Sequence, residues 1–129
     1  MLHCGLMALV IRDEQMRAFE AVQRHRLVRE LRAAFLSAYP ERCRELGPEA
    51  LDAVIRLGLE KAPRHGLASV GECTGFIDLM LNLSPEFDTD PAFAWARQIL
   101  EMPKLRGAAK IARIQSTLAR RIELSDGAA

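Results

Sequence analysis

The sequence predicts an all-α fold, a compact and irregular bundle of five to six helices in a single domain. Three observations predict it. Apolar residues recur at i, i+3, i+4 and i+7 along most of the chain. No stretch alternates apolar and polar residues with strand period over a useful length. Helix-starting and helix-ending residues, chiefly prolines, glycines and short polar caps, divide the apolar pattern into helix-sized pieces. A length of 129 residues favours one domain, and a chain that is 50% hydrophobic and 27% charged suits a packed core under a solvated shell.

The chain opens with MLHCGLMALV, which is mostly apolar but lacks a basic leading region and a small-residue cleavage site. It predicts no signal peptide, and residues 1–10 read as an arm or a start-codon artefact ahead of a domain over 11–124. The first long helix is expected from about Asp13 to just before Pro40. The pairs Asp13/Arg17, Glu20/Arg24 and Arg26/Glu30 would lie on its solvated surface. Its apolar seam is clearest at Val28, Leu31, Phe35 and Ala38, and Gln23–Arg26 marks a kink or a boundary between two helices. Tyr39-Pro40 opens a short helical turn that contains Cys43 and closes at Leu46-Gly47. Pro48 starts the next helix, with Leu51, Val54, Ile55, Leu59 and Ala62 as its core face and Asp52, Arg56 and Glu60 as a charge ladder. Pro63 and His65-Gly66 end it.

The central helix begins after Ser69, because Ser69 and Glu72 have capping-box spacing. Cys73, Phe76, Ile77 and Met80 form one apolar face, and Leu79, Leu81 and Leu83 widen it nearly all round, as in a buried helix. A stripe of Gly71, Thr74, Gly75, Asp78 and Asn82 interrupts the apolar surface. Either a neighbouring helix approaches over the glycines while Asp78 bonds a polar neighbour, or Asp78 is a recognition residue. A carboxylate beside so much apolar surface must be paired or reach water.

Ser84-Pro85 ends this helix. Asp88-Thr89-Asp90-Pro91 then forms a turn, with Asp90 as N-cap and Pro91 at the first helical position. Ala92, Trp95, Ala96, Ile99 and Leu100 face the core of the following helix, which Pro103 closes. The last helix is expected from about Gly107 to Ile122 on a stripe of Ile111, Ile114, Leu118 and Ile122, with residues 125–129 as a frayed tail. Lys104–Arg121 holds six basic residues and no acidic one, whereas Glu86–Glu101 holds four acidic residues and one arginine. The two segments complement each other internally, offer two docking surfaces, or are solvated faces of the ordinary kind.

Several chemistries find no support. The net charge of +1 disfavours a dedicated nucleic-acid binder, and no apolar run is long enough to span a membrane. Fifteen of the 18 basic residues are arginine, which a GC-rich genome explains as well as guanidinium chemistry does. Cys4, Cys43 and Cys73 are odd in number and widely spaced, so they read as reduced thiols of a cytoplasmic protein. Glu86, Asp88 and Asp90 lack the further oxygen ligands and the glycine of a calcium loop. His3, His25 and His65 lie in separate segments without zinc-site spacing. A nucleophilic Cys43 or Cys73 beside His65 would need a fold that brings them together, and no signature announces one. No phosphate-cradling glycine loop is present. No catalytic residue, cofactor site or metal site is assigned, and no small-molecule substrate is expected.

Residues 11 to about 105 carry a series of packing and turn motifs. They are Ile11-Arg12 with Glu14-Gln15-Met16 and Phe19, Tyr39-Pro40 with Cys43, and Leu46-Gly47. Ile55-Arg56 with Gly58 and the later Gly66 follow, then Phe76-Ile77-Asp78-Leu79-Met80, Phe87-Asp88 with Asp90-Pro91, and Trp95-Ala96 with Ile99-Leu100. In this order they resemble a family of small helical bacterial proteins associated with type VI secretion loci, beside genes for spike proteins, PAAR-like tips, effectors and effector-loading adaptors. The resemblance covers about three quarters of the chain. The sequence departs from the pattern at His65, where an aromatic residue often precedes the glycine, and at Ser84, where glycine is more usual.

The resemblance implies a non-catalytic accessory protein of type VI secretion, an effector co-chaperone or adaptor that binds a secreted effector, a spike or PAAR tip, or another adaptor. The alternative from the same loci is an immunity protein that binds and neutralises a toxic effector. A small cysteine-dependent enzyme is the third reading. The Phe87–Trp95 turn is the expected partner surface, through Phe87, Asp88, Asp90 and Trp95, with Arg113 and Arg120 of the basic helix beside them. Trp95 is either an aromatic anchor or a core residue at helical spacing.

Overall fold

Six α-helices form where the proline and glycine punctuation falls: α1 (Leu2–Ala38), α2 (Pro40–Leu46), α3 (Pro48–Lys61), α4 (Val70–Asn82), α5 (Ala94–Leu100) and α6 (Gly107–Ala128). They belong to one compact all-α domain in a computed structural model, which describes the backbone of residues 2–128 and the side chains of residues 20–124. Among the described residues there is no strand, and no helix is long and apolar enough to cross a membrane. Helix α1 begins at Leu2 rather than near Asp13, and α6 runs to Ala128 rather than to about Ile122. The Asp13/Arg17 pair falls on side chains outside the described residues.

Helix α1 is continuous through Gln23–Arg26, so that polar stretch is not a boundary between helices. It marks a change of environment instead. Residues 20–26 are exposed, and burial begins at Val28, Leu31 and Phe35 of the expected seam, whereas its fourth member, Ala38 at the helix end, is exposed. Arg32, on the flank of that seam, grips both carboxylate oxygens of Asp52 and ties α1 to α3. That contact replaces the expected charge ladder on α3: Asp52 turns to Arg32, and Glu60 pairs with Arg64. Neither Glu20/Arg24 nor Arg26/Glu30 is among the ion pairs of the described residues.

Gly47 joins α2 to α3 at φ 85°, a conformation that favours glycine, and Pro48 follows at the first position of α3. All five residues expected on this core face are buried: Leu51, Val54, Ile55 and Leu59 in α3, and Ala62 just after it. A 3₁₀ turn (Ala62–His65) and left-handed Gly66 (φ 77°) end the segment.

Helix α4 is the central element. The Ser69 hydroxyl accepts a hydrogen bond from the Glu72 amide at 3.1 Å, and the Glu72 carboxylate accepts one from the Ala68 amide at 3.1 Å. This is a capping box in which the carboxylate reaches one residue further back than the usual form. Phe76, Ile77, Leu79, Met80 and Leu81 are buried. Ile77 packs over Gly58 of α3, where a Cβ would lie 2.3 Å from the isoleucine side chain. On the other side, Gly75 receives Ile111 of α6, where a Cβ would lie 2.7 Å away. Two positions along a helix turn the side-chain direction by about 200°, so α3 and α6 pack on opposite sides of α4. Close helix approach therefore explains Gly75, whereas Gly71 is exposed with open space beside it.

After α4 the chain turns through residues 83–90 into a 3₁₀ turn (Pro91–Phe93) and α5. Ala92, expected on the core face, lies in that turn and is exposed, while Ala96, Ile99 and Leu100 are buried. The Asp90 carboxylate accepts from the Ala92 amide at 2.9 Å, as the N-cap assignment requires. Helix α6 then crosses α4 and α5, burying Ile111 and Ile114.

Candidate functional site

Two arrangements draw together the residues that sequence reasoning singled out. The first is an ionic cluster under the 84–90 turn. Lys61 in the last turn of α3 is only 8% exposed, on the same helix face as Val54 and Gly58. A lysine at that depth needs partners, and it has three acceptors: the Pro85 carbonyl at 3.2 Å, Glu86 Oε2 at 3.0 Å and Asp88 Oδ1 at 3.0 Å. The other Asp88 oxygen meets His65 Nε2 at 3.1 Å. The His65 ring lies against Phe76 with centroids 5.4 Å apart, and Phe76 lies against Phe87 at 5.1 Å. One carboxylate thus holds a lysine and a histidine, with aromatic rings sealing one side.

The electrostatics follow from this geometry. Burial alone would lift the Asp88 carboxyl, but its hydrogen bonds to Lys61 and His65 and their charges outweigh burial and hold it below the ordinary carboxylate value. Burial alone would likewise lower Lys61, and Glu86 with Asp88 reverses that and raises it. Both groups stay charged at neutral pH and neutralise each other. The cluster locks the turn to α3.

This changes the role of two residues expected on the partner surface. Phe87 is fully buried and Asp88 is 6% exposed, so neither side chain has surface to offer a partner. Asp90 is half-buried and committed to its N-cap. The acidic turn also does not take its counter-charge from the basic last helix. Lys61 supplies it, His65 adds a hydrogen bond to Asp88, and Lys110 Nζ of α6 donates to the His65 carbonyl at 3.4 Å.

The second arrangement is the outer end of α6 with the start of α5. Trp95 packs on the core and is partly buried, and the Arg121 guanidinium lies 4.7 Å from its ring centroid. The apolar stripe of α6 leaves the body as it proceeds. Ile114 is 0% exposed, Leu118 is half-buried and Ile122 is 52% exposed. Arg113 and Arg120 are exposed beside this stripe, and no described carboxylate lies within ion-pair distance of Arg113, Arg120 or Arg121. Arg113 rests on the Met102 sulfur at 3.4 Å. Of the six residues expected on the partner surface, Arg113 and Arg120 are therefore exposed, Trp95 and Asp90 are half-buried, and Phe87 and Asp88 are buried.

The remaining candidates serve the fold. Asp78 accepts a hydrogen bond from the Tyr39 hydroxyl at 2.6 Å, and the Asn82 amide donates to the same hydroxyl at 3.4 Å. Tyr39 and Arg42, which donates to the Leu81 carbonyl at 3.2 Å, fasten α2 to the end of α4. The Cys43 and Cys73 thiols are buried and donate to the carbonyls of Phe35 and Leu67. Burial pushes both thiols up, away from the reactive thiolate. His25 is exposed. No group of three or more metal-ligating side chains occurs among the described residues.

Sequence reasoning missed Lys61, Tyr39 and Arg121. For Lys61 a signal existed: it sits seven residues after Val54 on an apolar face, a place where lysine must find a buried partner. Comparison with protein-family models, curated proteins and solved structures finds no match to this chain.

Proposed function

We propose that the chain is a non-catalytic protein-binding module that acts as an effector co-chaperone or adaptor in type VI secretion. The secretion context rests on the motif resemblance. The observation that supports a binding role is the outer end of α6, where an apolar stripe emerges from the core beside arginines with no carboxylate partner among the described residues. Exposed apolar surface rimmed by charge favours association, and a partly buried tryptophan with an arginine over its ring joins the residue types enriched at binding hot spots. The titratable and thiol groups that an enzyme would use are instead engaged within the fold. Among the described residues every buried side-chain polar atom has a hydrogen-bond partner.

The test is an affinity pull-down of the tagged protein from its native cytosol, with Ile122→Glu and the double variant Arg113→Glu/Arg120→Glu run in parallel. The adaptor reading expects an effector together with a spike, tip or adaptor protein on the wild type, and loss of the effector on both variants. A lone toxin on the beads, with rescue of toxin-expressing cells, would replace the adaptor by an immunity protein. Undiminished capture by both variants would remove α6 as the partner surface.

A further inference from the structure

A notch of about 380 Å³ opens on the α3 side of the molecule, where α1, α2 and α3 meet. Small-ligand and side-chain pockets begin at about this size. Its surface is mainly aliphatic: Leu36 of α1 stands at the mouth, 45% exposed, and Leu51 and Cys43 form buried parts of the wall. The remaining frame is stiff. Pro40 and Pro48 have fixed φ, Gly47 between the helices holds φ 85°, and Arg32 at one edge is clamped by Asp52. Such a cavity loses little entropy when it is filled.

The charged residues that line it share one sign. No acidic residue lines the notch, and its two cations are Arg32 and Arg44. Asp52 neutralises Arg32, whereas Arg44 is exposed and has no carboxylate partner among the described residues. The acidic residues of α2, Glu41 and Glu45, flank a different depression beside Tyr39, and Glu45 pairs with Arg42. An occupant that matches this surface brings an aliphatic group for the notch and a negative charge for Arg44.

We propose that this notch is a second protein-docking site. It takes an aliphatic side chain from a partner segment whose neighbouring acidic residue pairs with Arg44. The site lies across α4 from the α6 face, because α3 and α6 occupy opposite sides of that helix. Two separate surfaces are what a protein that links two others requires. The inference goes beyond the α6 reading and does not depend on it, since different residues carry each.

The test uses the full-length, ¹⁵N-labelled protein and three probes: an acetylated, amidated pentapeptide containing Leu-Leu-Glu, its Leu-Leu-Lys counterpart, and octanoate. Amide resonances of Leu36, Arg44 and Gly47 shift with the acidic peptide. The basic peptide binds about threefold to fivefold more weakly, which is what one exposed ion pair contributes. Arg44→Glu reverses the preference between the two peptides, and Leu36→Glu abolishes the shifts. Both substitutions are at exposed positions, and unchanged Trp95 fluorescence establishes that the variants fold. Absence of shifts at the notch, or equal binding of both peptides by the wild type, overturns the proposal. Octanoate binding more tightly than the acidic peptide overturns it too, in favour of a site for free aliphatic acids.

Discussion

At the residue scale the most consequential group is Lys61. It sits in an apolar helix face, and its charge is tolerated because Asp88, Glu86 and the Pro85 carbonyl surround it. Removing one partner of a buried pair strands the other, which costs about 3–5 kcal/mol. Lys61→Met and Asp88→Asn should each lower the unfolding free energy from urea titration by that order, whereas Glu86→Gln, at an exposed partner, should cost less than about 1 kcal/mol. The pH dependence has a definite sign. The Asp88 carboxyl is held below its ordinary value when folded, so its contribution is present above the ordinary carboxylate value and is lost as pH falls through the folded one. Urea midpoints measured as pH drops from about 5 to about 3 should fall less steeply in Asp88→Asn than in the wild type. Tyr39 gives a second reading, because the hydrogen bond to Asp78 raises its pKa and it is the only tyrosine of the chain. Ultraviolet titration should therefore show phenol ionisation above the ordinary tyrosine value, and Asp78→Asn should bring it down. Local patterns announced Asp78 as a polar residue needing a partner but could not say which. The partner is 39 positions away, and that distance is closed only by the way α2 docks on α4.

At the element scale the periodicity and punctuation located all six helices, and the internal boundaries rest on local chemistry: Pro48 opening α3, Ser69 capping α4, Asp90 starting the turn into α5. The outer ends carry no such signal, and α1 starts at Leu2 rather than near Asp13 while α6 runs past Ile122 to Ala128. What the sequence left open were contacts between elements. The stripe on α4 offered two glycines of equal standing, yet only Gly75 lies under another helix. Their alanine variants should differ in sign. Gly71→Ala fills open space inside a helix and should stabilise by up to about 1 kcal/mol through propensity. Gly75→Ala drives a Cβ into Ile111 and should destabilise by about 1–3 kcal/mol, because overpacking outweighs the propensity gain. Thermal unfolding of the two variants decides the matter, and equal shifts would mean that α6 does not seat on α4 as described. The same limit explains the Phe87–Trp95 turn. Its acidic composition reads as surface until the lysine that neutralises it is known, and that lysine comes from α3 rather than from the basic last helix.

On the scale of the whole molecule, chemistry-bearing side chains are turned inward and satisfied, and uncommitted charge is left on the surface. Cysteine thiols donate to backbone carbonyls, the His65–Asp88–Lys61 cluster pins a turn, and arginines along α6 stand without carboxylate partners among the described residues. That distribution suits a protein that works by being bound. Composition and the missing motifs led only as far as the binding role proposed above. The surface itself was half legible: Arg113 and Arg120 are exposed and Trp95 is half-buried, while Phe87 and Asp88 went to the core because their partners are remote in sequence. The central claim is that a partner closes over the outer end of α6. Hydrogen–deuterium exchange of the protein alone and in complex with the effector it captures tests this most directly. The account predicts added protection over residues 113–124 and around Trp95, with the 84–90 turn unchanged. Protection confined to other helices, or none within the α6 segment, would contradict it.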